Sequence, residues 1–190
     1  MGLTVIVMLL AALAGWVSGG RAGRIRGHRL RTPALLLASV SVLFCEPLLG
    51  ASGSPGYCAA VILATTLMLQ FAMRNLHVPG VPLAALGMLL NAIVVVANGA
   101  MPVDLESADR AGVATAPISA GTEHNHVVSG RGTKVPALAD RVAVPLPGHR
   151  EIDSLGDIAI AAGAGLCVFT ALRRRRGVFD PTAPWLLQGA

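Results

Sequence analysis

The run Pro82–Val103, PLAALGMLLNAIVVVANGAMPV, constrains the chain more than any other stretch. It holds no charged residue, and its polar side chains are Asn91, in the middle, and Asn98, just before Gly99. An apolar run of about 20 residues is long enough to cross the hydrocarbon core of a bilayer as a helix. The chain before it is mostly apolar, and the chain after it, as far as Ser154, is polar. That division implies a small multi-pass membrane protein with one large loop.

Composition agrees. Of 190 residues, 54% are hydrophobic and 13% charged, where a soluble domain carries about 25% charged residues. Mean hydropathy is +0.66. The formal charge is +5, and Arg supplies every basic residue except Lys134. Arg clusters serve nucleic acid in some proteins. Here each main cluster abuts an apolar run, the pattern that orients spans, so no nucleic-acid partner is expected. Cys45, Cys58 and Cys167 lie in or beside apolar runs, and no CxxC occurs, so spacing gives no zinc or redox motif. Cys45 and Cys58 flank a turn, where a disulfide outside the cytoplasm or two free thiols would fit.

Five spans are expected, at about residues 2–19, 33–50, 57–73, 81–97 and 155–172. The first reaches about 27 Å at about 1.5 Å per residue, just enough for a bilayer core. It has no basic residue before Arg21, so it reads as an uncleaved span rather than a signal peptide. Ala11, Gly15 and Gly19 recur every four residues, a spacing that lets helix backbones approach closely. Pro33 suits the first turn of the second span. Glu46-Pro47 falls near that span's far end, and Thr65, Thr66 and Gln70 are the polar content of the third.

The loop at 20–32 carries Arg21, Arg24, Arg26, Arg29 and Arg31 with no acid, and the last span ends in Arg173, Arg174, Arg175 and Arg176. With five spans, the 20–32 loop, the loop after Arg74 and the C-terminal tail share one side. That side holds ten of the fifteen basic residues and one acid, Asp180. The positive-inside pattern then places the C-terminal tail at 173–190 in the cytoplasm, and the N-terminus and the 98–154 segment outside. The basic loops also suit anionic lipid, and Trp185, Leu186 and Leu187 suit the interface.

Residues 98–154 hold acids, bases, Pro and Gly, with short β-like pieces such as Arg141–Leu146. The segment is expected to be mostly irregular, too small and polar for a core of its own, and to lie against the helix ends. The fold class is therefore an all-α integral membrane protein, four spans in residues 1–97 and a fifth after the outer segment.

Few polar groups are candidates for chemistry. Asn91 and Asn98 are about two turns apart on one helix face, with Ala84 and Gly87 near the same stripe. They read as a polar track for an ion or solute, or as an interhelical hydrogen bond plus an Asn-Gly helix end before Pro102. Ser154-Leu155-Gly156-Asp157 reads as a capping box with Asp in place of Glu, or as an outward carboxylate that binds a cation or works in catalysis. Glu123, His124 and His126, with His149 further on, would ligate a metal only from an ordered strand, and are otherwise solvated loop side chains. No GxSxG, HExxH, Walker or Rossmann pattern occurs. No catalytic residue, cofactor or metal is assigned.

Leu83–Leu86, Gly87, Leu89, Leu90 and Asn91, followed by Asn98-Gly99-Ala100-Met101-Pro102-Val103, resemble the signature of a bacterial family of small multi-pass membrane proteins catalogued as domain of unknown function 5317. His126, Leu138-Ala139-Asp140, Pro145-Leu146-Pro147 and Ser154-Leu155-Gly156-Asp157 resemble its later elements in order, and the Arg-rich first loop fits. Ala100 and Ala139 stand where that family usually has Gly. The resemblance implies membership and topology and supplies no chemistry.

The expectation is a non-enzymatic assembly or interaction component of a bacterial cytoplasmic membrane, with a membrane-protein partner or a second copy. A translocator lined by Asn91, Asn98, Gln70 and Glu46 is the alternative. A membrane enzyme using Asp140 and Asp157 is a third, and it requires those two carboxylates to lie close together. The outer ends of the fourth and fifth spans are expected to meet, with Asn98 near Asp157.

Overall fold

The computed structural model describes residues 2–22, 30–49, 53–123, 125–146 and 149–173. Arg24, Arg26, Arg29, Arg174, Arg175, Arg176, His124, Pro147, Trp185, Leu186, Leu187 and the side chain of Glu46 lie outside the described residues.

Five long helices carry the apolar runs: α1 (Gly2–Val17), α2 (Pro33–Leu49), α3 (Pro55–Arg74), α4 (Val81–Asn98) and α7 (Leu155–Arg173). Between α4 and α7 lie β1 (Met101–Val103), α5 (Leu105–Ala111), α6 (Ala116–Ser119), β2 (His126–Val128), β3 (Val142–Leu146) and β4 (His149–Asp153). By length and composition α3, α4 and α7 are long and apolar enough to cross a membrane, and α1 and the described part of α2 are shorter apolar helices. All five fall within two residues of the expected apolar segments.

Local chemistry explains the ends. Ser54 caps α3, its hydroxyl accepting from the Tyr57 N–H at 3.2 Å, and Pro55 opens the helix. Asn98-Gly99 closes α4. Gly99 takes the left-handed conformation (φ 83°), and its N–H donates to Val95 O at 2.7 Å. Asn75, fully buried just after α3, donates to Phe71 O at 2.8 Å and to Arg31 O at 2.9 Å, and accepts from the Arg31 N–H at 2.8 Å. One side chain thus finishes α3 and ties down the chain entering α2.

The helices pack as a row: α2 on α3, α3 on α4, α4 on α7, and α7 on α1. Small residues set the α4–α7 approach. A Cβ added at Gly87 would meet Gly156 O and Ile160, and one at Gly163 would meet Ala84 and Gly80. Ala11 and Gly15 face α7, against Gly165 and Leu172. Gly19 does not join them: α1 ends at Val17, and Gly19 has φ +85° and nothing within 4 Å of an added Cβ.

The segment between α4 and α7 is more regular than expected. β1 and β2 pair in parallel, Met101 opposite His126, and α5 and α6 form the crossover such a pair requires. β3 and β4 form an antiparallel pair, Val142 opposite Asp153. Val103, Ala108 and Ile118 make a small buried cluster with Leu105, Val113 and Ile152. Strands of three residues and helices of one or two turns are too short for either hydrophobic period to show in the sequence. A second cluster joins Tyr57 and Val61 of α3 to Ala92, Val94 and Val95 of α4 and to Ala100 and Met101, fixing the segment to the helix ends.

Candidate functional site

The sharp end of α4 launches β1, and β1 organises the segment between α4 and α7 around itself. Along one edge it pairs with β2. Along the other, the Asp140 N–H donates to Pro102 O at 2.9 Å and Asp140 O accepts from the Asp104 N–H at 3.0 Å. Pro102 has no N–H to lose, and that edge carries only a bridge, Val103 to Asp140. The strand therefore holds His126 and Asp140 on either side of itself. His126 Nε2 lies 3.5 Å from Asp140 Oδ2, and its Nδ1 lies 3.6 Å from Glu123 Oε1.

The start of α7 supplies the second half. Ser154 and Asp157 form a reciprocal cap: the Asp157 N–H donates to Ser154 Oγ at 2.9 Å, and the Ser154 N–H donates to Asp157 Oδ2 at 3.0 Å. Asn91 of α4 joins it, donating from Nδ2 to Asp157 Oδ1 at 2.8 Å. The Ser154 hydroxyl lies 2.6 Å from Asp157 Oδ2 and 2.9 Å from Asn91 Oδ1, so its one proton serves two acceptors in turn. Gly156 makes this approach feasible, because a Cβ there would fall on the Asn91 amide.

Between these halves is a cavity of about 430 Å³. Its apolar wall comes from α2, α3, α4 and α7, including Leu43, Val61, Met88 and Ile160. Its polar wall carries Asn91, Asp140, Asp153 and Asp157, with His126 and Asn125 beside them. Asp140 is 3% exposed. Burial pushes its carboxyl up to about 8, and the Asp157 and Asp153 charges add to the rise. Burial holds the His126 imidazole below its ordinary value, against the upward pull of Glu123 and Asp157. Burial without a bound countercharge is the largest cause of both shifts, so a cation placed beside Asp140 would draw off its proton. Asp140 Oδ1 and Asn125 Oδ1 are buried without a hydrogen-bond partner among the described residues. Glu151 also lines the cavity, and its carboxylate caps α1, accepting from the Gly2 and Leu3 N–H groups at 2.7 and 2.8 Å.

The structure thus gathers Asn91, Asp140, Asp157 and Met101 around one space. It separates others. Asn98 is not on the cavity wall; its amide donates to Val94 O and Lys134 O and accepts from the Lys134 N–H. Asn98 therefore does not meet Asp157. The reason is depth: α7 begins beside Asn91, about two turns, or roughly 10 Å, short of the end of α4. Gly99 and Pro102 are backbone devices, and Gln70 is exposed on α3, so Asn91, Asn98 and Gln70 do not share one space, while the Glu46 side chain lies outside the described residues. Arg21 donates its N–H to Leu172 O, Arg31 is held by Asn75, and Arg173 stacks 5.3 Å over the Phe169 ring. Among the described residues no group of three or more His, Cys, Asp and Glu side chains is placed to hold a metal ion, and the three cysteines are free thiols.

Sequence reasoning missed Asp153, Asn125 and Asn75. Asp153 had one available signal, its place in Ile152-Asp153-Ser154, where an acid directly precedes a helix cap. Ala100 and Ala139 need no glycine here: both are buried, and neither has a positive φ.

No curated protein and no solved structure matches the chain. The family model described as a family of unknown function, DUF5317, matches residues 24–169, and the chain belongs to that family.

Proposed function

We propose that this is a five-span protein of the bacterial cytoplasmic membrane, N-terminus outside, which binds a small ligand in the cavity beneath its outer segment. The observation that carries the reading is the convergence of Asp140 and Asp157 from separate parts of the chain on one partly apolar cavity. Ligand sites are typically mostly apolar concavities with a few convergent polar groups and shifted pKa values. The membrane part is supported by large apolar side chains left exposed on every long helix, among them Leu9, Phe44, Met73, Ile93 and Leu166. The orientation rests on the arginines. Docking of the outer segment on the helix ends supports an assembly role less directly, since it is satisfied within the chain.

The accessible test is thiol labelling in a variant lacking Cys45, Cys58 and Cys167. A cysteine replacing Met101, on the cavity wall, should react with a membrane-impermeant reagent added from outside, and one replacing Leu86 on the exposed face of α4 should not. Protection at 101 would remove the reading. A C-terminal reporter that fluoresces only when exported would reverse the orientation.

A second reading is favoured by the same pair. A membrane enzyme would use Asp140, its carboxyl raised by burial, as an acid beside Asp157. Turnover lost in Asp140→Asn and retained in Asp153→Asn, once a substrate is in hand, would favour it over binding alone.

A further inference from the structure

The cavity wall is unbalanced in charge and in hydrogen-bonding capacity. Asp140, Glu151, Asp153 and Asp157 line it, and Arg150 is the one lysine or arginine among its described lining residues, its guanidinium reaching toward Gly112 O at 3.4 Å. Glu151 has both oxygens engaged by the start of α1. Asp157 is engaged by Asn91 and Ser154. Asp140 is different. It is 3% exposed, its Oδ1 lacks a hydrogen-bond partner among the described residues, and so does the nearby Asn125 Oδ1. Buried polar atoms nearly always have partners, so these acceptors define where a donor belongs. The same cavity has apolar lining from the helices, including Val61, Met88 and Ile160. A ligand that satisfies both linings needs several donors, a positive charge and a short hydrocarbon body. A primary ammonium offers three donors and a compact charge, and about 430 Å³ lies within the usual range of small-ligand sites, roughly 300–1,000 Å³.

We propose that the cavity binds a primary ammonium group carried on a short apolar chain, Asp140 and Asp157 taking the charged end and the α3–α4–α7 wall taking the chain. This rests on the binding reading above and adds the chemical class. The ammonium could belong to a free amine or to the headgroup of an aminolipid; both present the same chemistry.

The test uses the full chain in nanodiscs of phosphatidylcholine, with n-hexylammonium as the probe and n-hexanol and n-hexanoate as controls. Hexylammonium near saturation should raise the unfolding midpoint by about 5 °C, and the controls should not. Asp140→Asn should abolish the shift, while Glu106→Gln, an exposed acid outside the cavity, should keep it. Direct calorimetric titration of the unaltered protein gives a readout that does not depend on any variant folding. In nanodiscs of phosphatidylethanolamine, a headgroup ligand would already occupy the site, and the added shift would vanish; a free-amine ligand would leave it intact. A shift with hexanol or hexanoate instead, or one unchanged in Asp140→Asn, overturns the ammonium assignment and leaves a binding cavity. No shift with any probe, with Met101→Cys still labelled, overturns the assignment alone. No shift with Met101→Cys protected removes the binding reading as well.

Discussion

The Asn91 side-chain amide donates to the Asp157 carboxylate at 2.8 Å, about two helical turns below the end of α4. That bond marks the depth at which α7 starts. A helix end presents unpaired N–H groups, and an apolar setting makes them costly. Ser154, Asp157 and Asn91 supply the partners together. Because α7 starts low, the helices and the segment between α4 and α7 line one cavity beside the cap.

The fit at this point leaves no room for a methyl group. Gly156→Ala should force Asn91 aside and push on Gly87 O, costing about 1–3 kcal/mol by overpacking. Gly130→Ala, with nothing within 4 Å of the new methyl, should be neutral. Thermal unfolding of the two variants in the same detergent makes the comparison.

Asn98 works as a clip. Its side chain exchanges hydrogen bonds with both the N–H and the carbonyl of Lys134, at 2.8 and 3.0 Å. Asn98→Ala should cost about 0.5–1.5 kcal/mol, because the freed Lys134 groups are exposed to water, and should speed amide hydrogen exchange around Lys134. Exchange there at the parent rate would mean that the clip does not hold the loop.

Glu151 should matter to α1 as much as to its own strand. Glu151→Gln replaces one of two charge-assisted acceptors at the Gly2 and Leu3 N–H groups, with an expected loss of about 1–2 kcal/mol. Hydrogen exchange should quicken in the first turn of α1 while α4 stays protected.

Asp140 imposes a pH dependence whose sign follows from its pKa. The folded value, about 8, lies above the unfolded value of about 3.9. Between these the folded state holds a proton that the unfolded state has lost, so stability falls as pH rises and levels off above about 8. His126 is held below 6.5 and contributes the opposite slope beneath that value. The clean window is therefore about pH 7 to 8. There the parent should lose stability and Asp140→Asn should stay flat; parallel curves would show that Asp140 is not buried as described.

The long helices were legible because each carries a continuous apolar run with a recognisable end. Ser54-Pro55 opens α3, Asn98-Gly99 closes α4, and Ser154 with Asp157 opens α7. Half the site was legible for the same reason, since Asn91 and Asp157 interrupt apolar or capping patterns. Their partnership was not, because it depends on the relative height of α4 and α7. That height is set by Gly87, Gly156 and Gly163 meeting across the interface, a register that span counting does not contain. The meeting of His126 with Asp140 was hidden for a different reason. They meet across a three-residue strand, and only the β1 pairings on both edges bring them together.

A double-mutant cycle on Asn91 and Asp157 reads their contact itself, with unfolding free energy measured for Asn91→Ala, Asp157→Ala and the pair in one detergent. Contact between the two residues predicts a coupling of about 1–3 kcal/mol, the double variant losing less than the sum of the singles. Losses that add to within about 0.3 kcal/mol would mean that Asn91 does not hold the first turn of α7, and the cavity beside it would lose that support.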